Sequence, residues 1–235
     1  MDKTITANIT EIFSSIQGEG IFAGAKQVFV RFFGCNMRCR FCDEAAKTRT
    51  TAYSPGSLMA AVRSLEAAKG RHHSVSLTGG EPLLHTEFLK QFLPLLKAEK
   101  HKVYLETNGT LPGALSEVIG DVDIIAMDFK LPSSTGDRPY WEEHAGFLKA
   151  AMGKKVFVKA VVTYDTSLED IRKAAELIKT AGADVPLILQ PATPISKTDA
   201  PVPANRLVTF LEAATEQNVE NVRIVPQIHR FLNIH

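Results

Sequence analysis

Gln27-Val28-Phe29-Val30-Arg31-Phe32-Phe33-Gly34-Cys35-Asn36-Met37-Arg38-Cys39-Arg40-Phe41-Cys42 joins a β-rich run to a loop holding every cysteine of this 235-residue chain. Gln27–Phe33 has the β-branched and aromatic content of a strand. The three cysteines follow inside a window that spans at most ~28 Å when extended, so one loop can gather three thiolates around a single inorganic centre. An odd cysteine count in one loop is not a disulfide framework. The N-terminal Met1-Asp2-Lys3-Thr4 also lacks the charged and apolar regions of a secretory signal. A structural zinc would ask for a fourth Cys or His close by, and the nearest candidate is Asp43. Iron–sulfur clusters take thiolates, and three cysteines on a four-iron cube leave one iron open to a substrate or cosubstrate. A 4Fe-4S cluster on Cys35, Cys39 and Cys42 is the favoured reading, with zinc or plain buried thiols as the alternatives.

Outward from this loop, short β-rich runs alternate with amphipathic helical stretches. Strands are predicted at Gln27–Phe33, Val75–Leu77, Lys102–Leu105, Val122–Met127, Lys155–Val162, Pro186–Gln190 and Val222–Val225. Helices are predicted at Pro55–Ala68 (with Ser54 as N-cap and Pro55 in the first turn), up to about Lys97, near Ala114–Ile119, and at Trp141–Ala151, Leu168–Thr180 and Asn205–Gln217. Such alternation implies a parallel sheet with right-handed crossovers. The β/α units are too few for a full eight-fold barrel. The expected fold is therefore α/β, a partial, open β/α barrel of about six parallel strands. A single domain over residues 1–235 is expected, its cluster loop at 34–45, with no internal repeat or linker.

At 45% hydrophobic and 23% charged, the composition is that of an ordinary globular protein. A net charge of +1 offers no basic groove for nucleic acid and no attraction to anionic membrane. No apolar run reaches the length of a membrane span, and an oxygen-sensitive cluster belongs in reducing surroundings. A cytoplasmic protein is expected.

The polar and glycine-rich motifs lie just past strand ends, where α/β sheets place their active sites. Thr78-Gly79-Gly80-Glu81-Pro82 combines two glycines, which let backbone approach a ligand, with an acceptor at Glu81; alone, it would read as a strand-to-helix turn with an acidic first turn. Glu106-Thr107-Asn108-Gly109 ends the next strand; a turn explains Asn108-Gly109 but not Glu106. Lys130 follows a further strand, a position where lysine is usually a solvated surface residue. Gln17-Gly18-Glu19-Gly20 flanks a carboxylate with glycines, which suits a backbone pressed against a ligand.

Cys-x3-Cys-x2-Cys, with Phe41 before its last cysteine, resembles the signature of the radical S-adenosylmethionine superfamily. The resemblance implies a cluster whose open iron is chelated by S-adenosylmethionine, reduced by one electron to yield a 5′-deoxyadenosyl radical. It implies that Gly79, Gly80 and Glu81 hold the methionine amino group. Glu106 and Asn108 would bond the ribose or methionine part, and Phe41 and Lys130 are further cosubstrate contacts. The stretches Glu11–Gly20, Gly24, Phe29–Asn36 and Val222–His229 are similar to 7-carboxy-7-deazaguanine synthases, a likeness running from about residue 10 to residue 230. That family contracts 6-carboxy-5,6,7,8-tetrahydropterin to 7-carboxy-7-deazaguanine with loss of ammonia, on the way to the modified tRNA base queuosine.

A pterin presents a donor/acceptor edge suited to Gln17 and Glu19, and a carboxylate that Arg31 can bind bidentately. Gly18 lets the backbone approach, and Thr78 and His229 complete the substrate set implied by the resemblance. The competing assignments are a solvated Glu19, a structural salt bridge for Arg31, and a surface or capping role for His229. Many relatives carry Cys-Asp-Thr after the cluster, the threonine position binding magnesium. Here the sequence is Cys42-Asp43-Glu44, which makes Glu44 the candidate Mg2+ ligand; a related substrate, or a site without magnesium, is the alternative. Asp128-Phe129-Lys130 likewise stands where Ser-Pro-Lys is common. An electron donor such as flavodoxin or ferredoxin and a homodimer are the expected partners. Competing functions are a glycyl-radical-enzyme activase, which would need a peptide groove, and a non-catalytic metal-binding interaction module.

Overall fold

The computed structural model describes residues 5–42, 48–182, 184–194 and 200–234; Asp43 and the candidate magnesium ligand Glu44 lie outside them. Among the described residues the strands are β1 (Ala7–Ile16), β2 (Lys26–Phe32), β3 (Thr51–Tyr53), β4 (Ser74–Gly79), β5 (Val103–Thr107), β6 (Ile124–Asp128), β7 (Lys155–Val162), β8 (Leu187–Pro191) and β9 (Val222–Ile224). They form one open sheet in the order β3-β1-β2-β4-β5-β6-β7-β8-β9. From β2 through β9 every neighbouring pair is parallel. The sheet thus has seven parallel strands where about six were expected. It is extended at one edge by β1 and β3, which pair antiparallel.

The helices are α1 (Pro55–Lys69), α2 (Thr86–Ala98), α3 (Pro112–Val118), α4 (Pro132–Thr135), α5 (Trp141–Ala151), α6 (Leu168–Thr180), α7 (Ala204–Thr215) and α8 (Ile228–Phe231). Local chemistry sets their starts. Ser54 accepts from the Ser57 N–H at 3.2 Å while the Ser57 hydroxyl accepts from the Ser54 N–H at 2.9 Å, satisfying two orphan donors ahead of Pro55. Ser167 caps α6 through the Asp170 N–H at 3.1 Å.

Period-two alternation sends each strand's residues to two different interiors. Val28, Val30 and Phe32, Val75 and Leu77, Val103 and Leu105, Ile125 and Met127, Val158 and Ala160, and Leu187 and Leu189 belong to the main core beneath the helices. Their alternates face the other way and change character along the strand. Tyr104, Ile124, Phe157 and Ile188 form a second apolar cluster with Ile21, Phe22 and Val225. One step further along come Glu106, Asp128, Lys159 and Gln190, all lining a cavity of about 230 Å³. Residues of β1, β2, β4, β5, β6, β7 and β8 line this cavity, Tyr104 and Phe157 of the aromatic layer among them.

Candidate active site

The cysteine loop closes one end of the cavity, which Cys35, Cys39 and Cys42 all line together with Phe41 and Lys130. Backbone contacts fix the loop against its neighbours. The Glu81 N–H donates to the Gly34 carbonyl at 2.8 Å and the Gly80 N–H to the Phe32 carbonyl at 3.0 Å, so the glycine pair after β4 is laid along the start of the loop. The Asn108 amide donates to Asn36 Oδ1 at 2.7 Å, and Asn36 in turn donates to Thr110 Oγ1 at 2.8 Å. Lys130 Nζ stands 5.6 Å from the Phe41 ring centroid, close enough for a cation–π contact.

Glu81 is placed behind the glycine pair. Its side chain is wholly buried and does not line the cavity. It accepts from the Leu83 N–H (3.1 Å), the Thr107 hydroxyl (2.9 Å) and the Asn108 N–H (2.7 Å). Glu81 therefore ties the β4 and β5 loops together, and the groups offered to the cavity are those of Gly79 and Gly80. Burial pushes the Glu81 carboxyl up to about 7.

Glu106 is likewise supported from within the protein. It accepts from Gln17 (2.9 Å), Ser76 (2.7 Å) and Thr78 (3.0 Å). Gln17, expected to read a ligand edge, has its amide nitrogen shared between Glu106 and Gln27 (3.0 Å) and its carbonyl bonded to the Glu19 N–H (3.0 Å). It is 3% exposed and lines the cavity, with both amide N–H groups held within the protein. These bonds make Gln17 a support for the Gly18–Glu19 turn at the cavity wall.

That turn is packed by the C-terminal segment. Ile228 N–H donates to the Gly18 carbonyl at 2.9 Å. A Cβ on Gly18 would fall 1.8 Å from His229 Nδ1, and one on Gly20 would fall 2.4 Å from the Phe157 ring. Both glycines are required by close packing, and His229 lines the cavity beside Gly18. Arg31 also lines it; its guanidinium pairs with Glu11 at 3.1 Å and lies 5.3 Å from the Phe13 centroid. Phe13 and Phe29, stacked at 5.0 Å, supply an apolar wall.

Glu19 accepts from Lys159 at 2.5 Å and from Gln227 at 2.7 Å. Burial alone would raise its carboxyl, but the Lys159 ammonium and these hydrogen bonds outweigh it and hold Glu19 at about 2. Lys159 lies 3.4 Å from Asp128, and Asp128 accepts from Lys130 at 2.8 Å. For both lysines burial opposes the charge and the neighbouring carboxylates more than restore it, so both remain cations. Sequence reading singled out neither Lys159 nor Gln227 as a site residue. The available signal for Lys159 was a lysine in the middle of the apolar run Lys155–Val162, where a charge is retained only with partners.

Three thiols around one end of the cavity, with a buried ammonium and close-packed glycine backbone beside them, are a donor set suited to an iron–sulfur cluster and a polar cosubstrate. Burial pushes the Cys39 thiol up to about 11 and raises Cys35 as well; thiolate ligation by iron would reverse this. Among the described residues, no three His, Cys, Asp or Glu side chains converge on the position of a single metal ion.

Residues 29–189 match the model of the radical SAM superfamily. The 7-carboxy-7-deazaguanine synthase of Geobacter sulfurreducens is 41% identical over 96% of this chain and 97% of its own length. The chain belongs to the 7-carboxy-7-deazaguanine synthase family. A second member of that family, from Methanothermobacter thermautotrophicus, is 32% identical over 97% of this chain and 98% of its own. Among solved structures, Escherichia coli QueE superposes with a TM-score of 0.61 at 21% identity over 94% of both chains. A radical SAM methyltransferase from Sphaerobacter thermophilus gives 0.66 at 18% identity over 86% of this chain and 66% of its own. Both likenesses show the shared fold, an α/β open sheet.

Proposed function

We infer that this chain is a 7-carboxy-7-deazaguanine synthase, converting 6-carboxy-5,6,7,8-tetrahydropterin to 7-carboxy-7-deazaguanine with loss of ammonia. The observation that carries the reading is one cavity lined by two chemically distinct sets of groups: the cysteines, Lys130 and the Gly79-Gly80 backbone, and Glu19, Arg31 and His229.

Cys35, Cys39 and Cys42 would hold the 4Fe-4S cluster. Gly79, Gly80, Phe41, Glu106, Asn108 and Lys130 would surround S-adenosylmethionine, with Glu81 as a positioning residue behind them. When bound, the cluster and cosubstrate supply one-electron chemistry able to remove a hydrogen atom from carbon. Glu19, ionised and fixed at both oxygens, keeps lone-pair capacity for the N–H edge of a pterin. Arg31 pairs with the substrate carboxylate, Phe13 and Phe29 wall the ring, and Thr78 and His229 complete its polar surround. The apolar floor of Tyr104, Phe157 and Ile188 excludes water from below.

Glu44 as an Mg2+ ligand, a flavodoxin or ferredoxin as reductant, a homodimer, a single domain over the whole chain and a cytoplasmic location are parts of the same proposal. The magnesium ligand, the reductant and the dimer rest on the family resemblance, the single domain and the location on the sequence. No helix of the described residues is long and apolar enough to cross a membrane.

The test is anaerobic reconstitution with iron and sulfide, then incubation with S-adenosylmethionine, dithionite, Mg2+ and 6-carboxytetrahydropterin. Accumulation of 7-carboxy-7-deazaguanine by mass spectrometry over many turnovers is expected; S-adenosylmethionine cleavage with no pterin product would refute the substrate assignment.

A further inference from the structure

Lys159 occupies the centre of β7, and its ammonium is shared by carboxylates from two different elements. Glu19 comes from the loop after β1 at 2.5 Å, and Asp128 from the end of β6 at 3.4 Å. The lysine side chain is 15% exposed and the two carboxylate side chains 18% and 12%. Removing a cation from water to this degree is expensive, and an apolar residue at the same strand position would serve the fold at least as well. Asp128 adds a second sign that the arrangement is made for more than folding. Its Oδ2 serves both Lys130 and Lys159, while its buried Oδ1 has no hydrogen-bond partner although the residue lines the cavity.

We propose that Lys159 is the positioning residue of the pterin half-site: it fixes the Glu19 carboxylate against Gln227 and links it, through Asp128, to Lys130 beside the cysteine loop. The inference rests on the pterin reading of the cavity. Gln227 holds the other Glu19 oxygen at 2.7 Å and is itself fixed by the Thr193 hydroxyl at 2.6 Å. With both oxygens anchored, the carboxylate presents its remaining lone pairs in one orientation, so the ordering cost is met before the ligand arrives.

The charged and titratable groups facing Glu19 are Lys159 from β7, His229 from α8 and Tyr104 from β5. Glu106 and Asp128 act on it indirectly, through Lys159. Lys159 is the principal cation of this set. Without it, burial and the neighbouring carboxylates favour the protonated form of Glu19, opposed only by the Gln227 hydrogen bond and by His229. A protonated Glu19 loses half its acceptor character toward an N–H edge.

The experiment is calorimetric binding of 6-carboxytetrahydropterin to anaerobic holoenzyme with S-adenosylmethionine, from pH 8.5 to 5.5. The proteins are the unmodified chain, Lys159→Met, Lys159→Arg, Glu19→Gln and the double variant Glu19→Gln/Lys159→Met. His229 also acts on the Glu19 carboxylate, so the Lys159→Met deficit is read against Lys159→Arg, which keeps both Glu19 and His229. The Lys159→Met deficit should widen by about tenfold or more as pH falls across this range. Lys159→Arg should remain within about threefold of the unmodified chain at every pH, and the double variant within about threefold of Glu19→Gln alone. A Lys159→Met deficit that is constant with pH, or a double variant whose loss is the product of the two single losses, would overturn the proposal. If Lys159→Met does not fold, the double variant, which leaves no orphaned Glu19 charge, decides the matter by the same criterion. Failure of the unmodified chain to bind the pterin would instead remove the substrate reading itself.

Discussion

Gly80 lies so close to Gly34 that a Cβ built on it would fall 1.9 Å from the Gly34 carbonyl oxygen. Gly34 immediately precedes the first cysteine, so the glycine pair after β4 sets where the cysteine loop begins. Any side chain at position 80 must push that loop away. Gly80→Ala should cost about 1–3 kcal/mol of stability by overpacking and, more tellingly, lower cluster content. Iron and sulfide per chain after identical reconstitution should fall well below the parent; full occupancy would show that the loop tolerates the shift.

A similar contact governs the other end of the cavity. Gly18 faces His229 with no room for a methyl group, since the nearest ring atom would lie 1.8 Å away. Gly18→Ala should displace His229 and the α8 segment, weakening pterin binding by about tenfold or more. Cosubstrate binding at the cysteine end should be unchanged. Parallel titrations with the two ligands check this, and equal losses for both would contradict the division of the cavity into two ends.

His144 yields a prediction about pH. It is fully buried, stacked on Phe129 with centroids 4.7 Å apart, and its Nε2 lies 3.2 Å from the Asn108 carbonyl. Burial pulls its pKa down from 6.5 to about 4. The folded state therefore resists a proton that the unfolded chain accepts first. Its contribution to stability is complete above the unfolded pKa and is lost as pH falls from about 6.5 toward 4. By pH 5 the loss is about 2 kcal/mol. The buried Glu81 carboxyl, raised to about 7, gains stability over the same interval, so the loss is read by comparing urea unfolding of the parent and of His144→Phe at pH 7 and pH 5: the parent should lose about 2 kcal/mol relative to the variant.

Arg31 carries the substrate assignment most directly. Arg31→Ala removes the guanidinium that would pair with the pterin carboxylate and leaves Glu11 without that partner. Turnover of the pterin should fall by about 100-fold or more in kcat/KM, while S-adenosylmethionine cleavage without substrate persists. Retained pterin turnover would mean the carboxylate lies elsewhere.

The cysteine loop and the seven parallel strands were legible because their signals are local: three thiols in one loop, and β-rich runs ending in glycine or polar motifs. Trp141–Ala151 and Leu168–Thr180 match their predicted helices end to end. β1 escaped notice because Asn8, Thr10, Glu11, Ser14 and Ser15 dilute its apolar alternation, and its burial is only partial. The internal bonds of Gln17 and Glu81 were not legible for a different reason. Sequence shows that a residue can bond a ligand, whereas only the fold shows that Gln27, Glu106, Thr107 and backbone amides already claim its atoms. Lys159 and Gln227 were missed because their partner, Glu19, is 140 and 208 residues away.

The most direct test of the account is to follow the hydrogen at C6 of the pterin, the atom expected to face the cysteine end of the cavity. Reconstituted enzyme would be incubated with S-adenosylmethionine, reductant and substrate deuterated at C6, and the adenosine products analysed by mass spectrometry. The account predicts deuterium in 5′-deoxyadenosine, accompanied by 7-carboxy-7-deazaguanine. Unlabelled 5′-deoxyadenosine, with all deuterium retained in unreacted pterin, would contradict it.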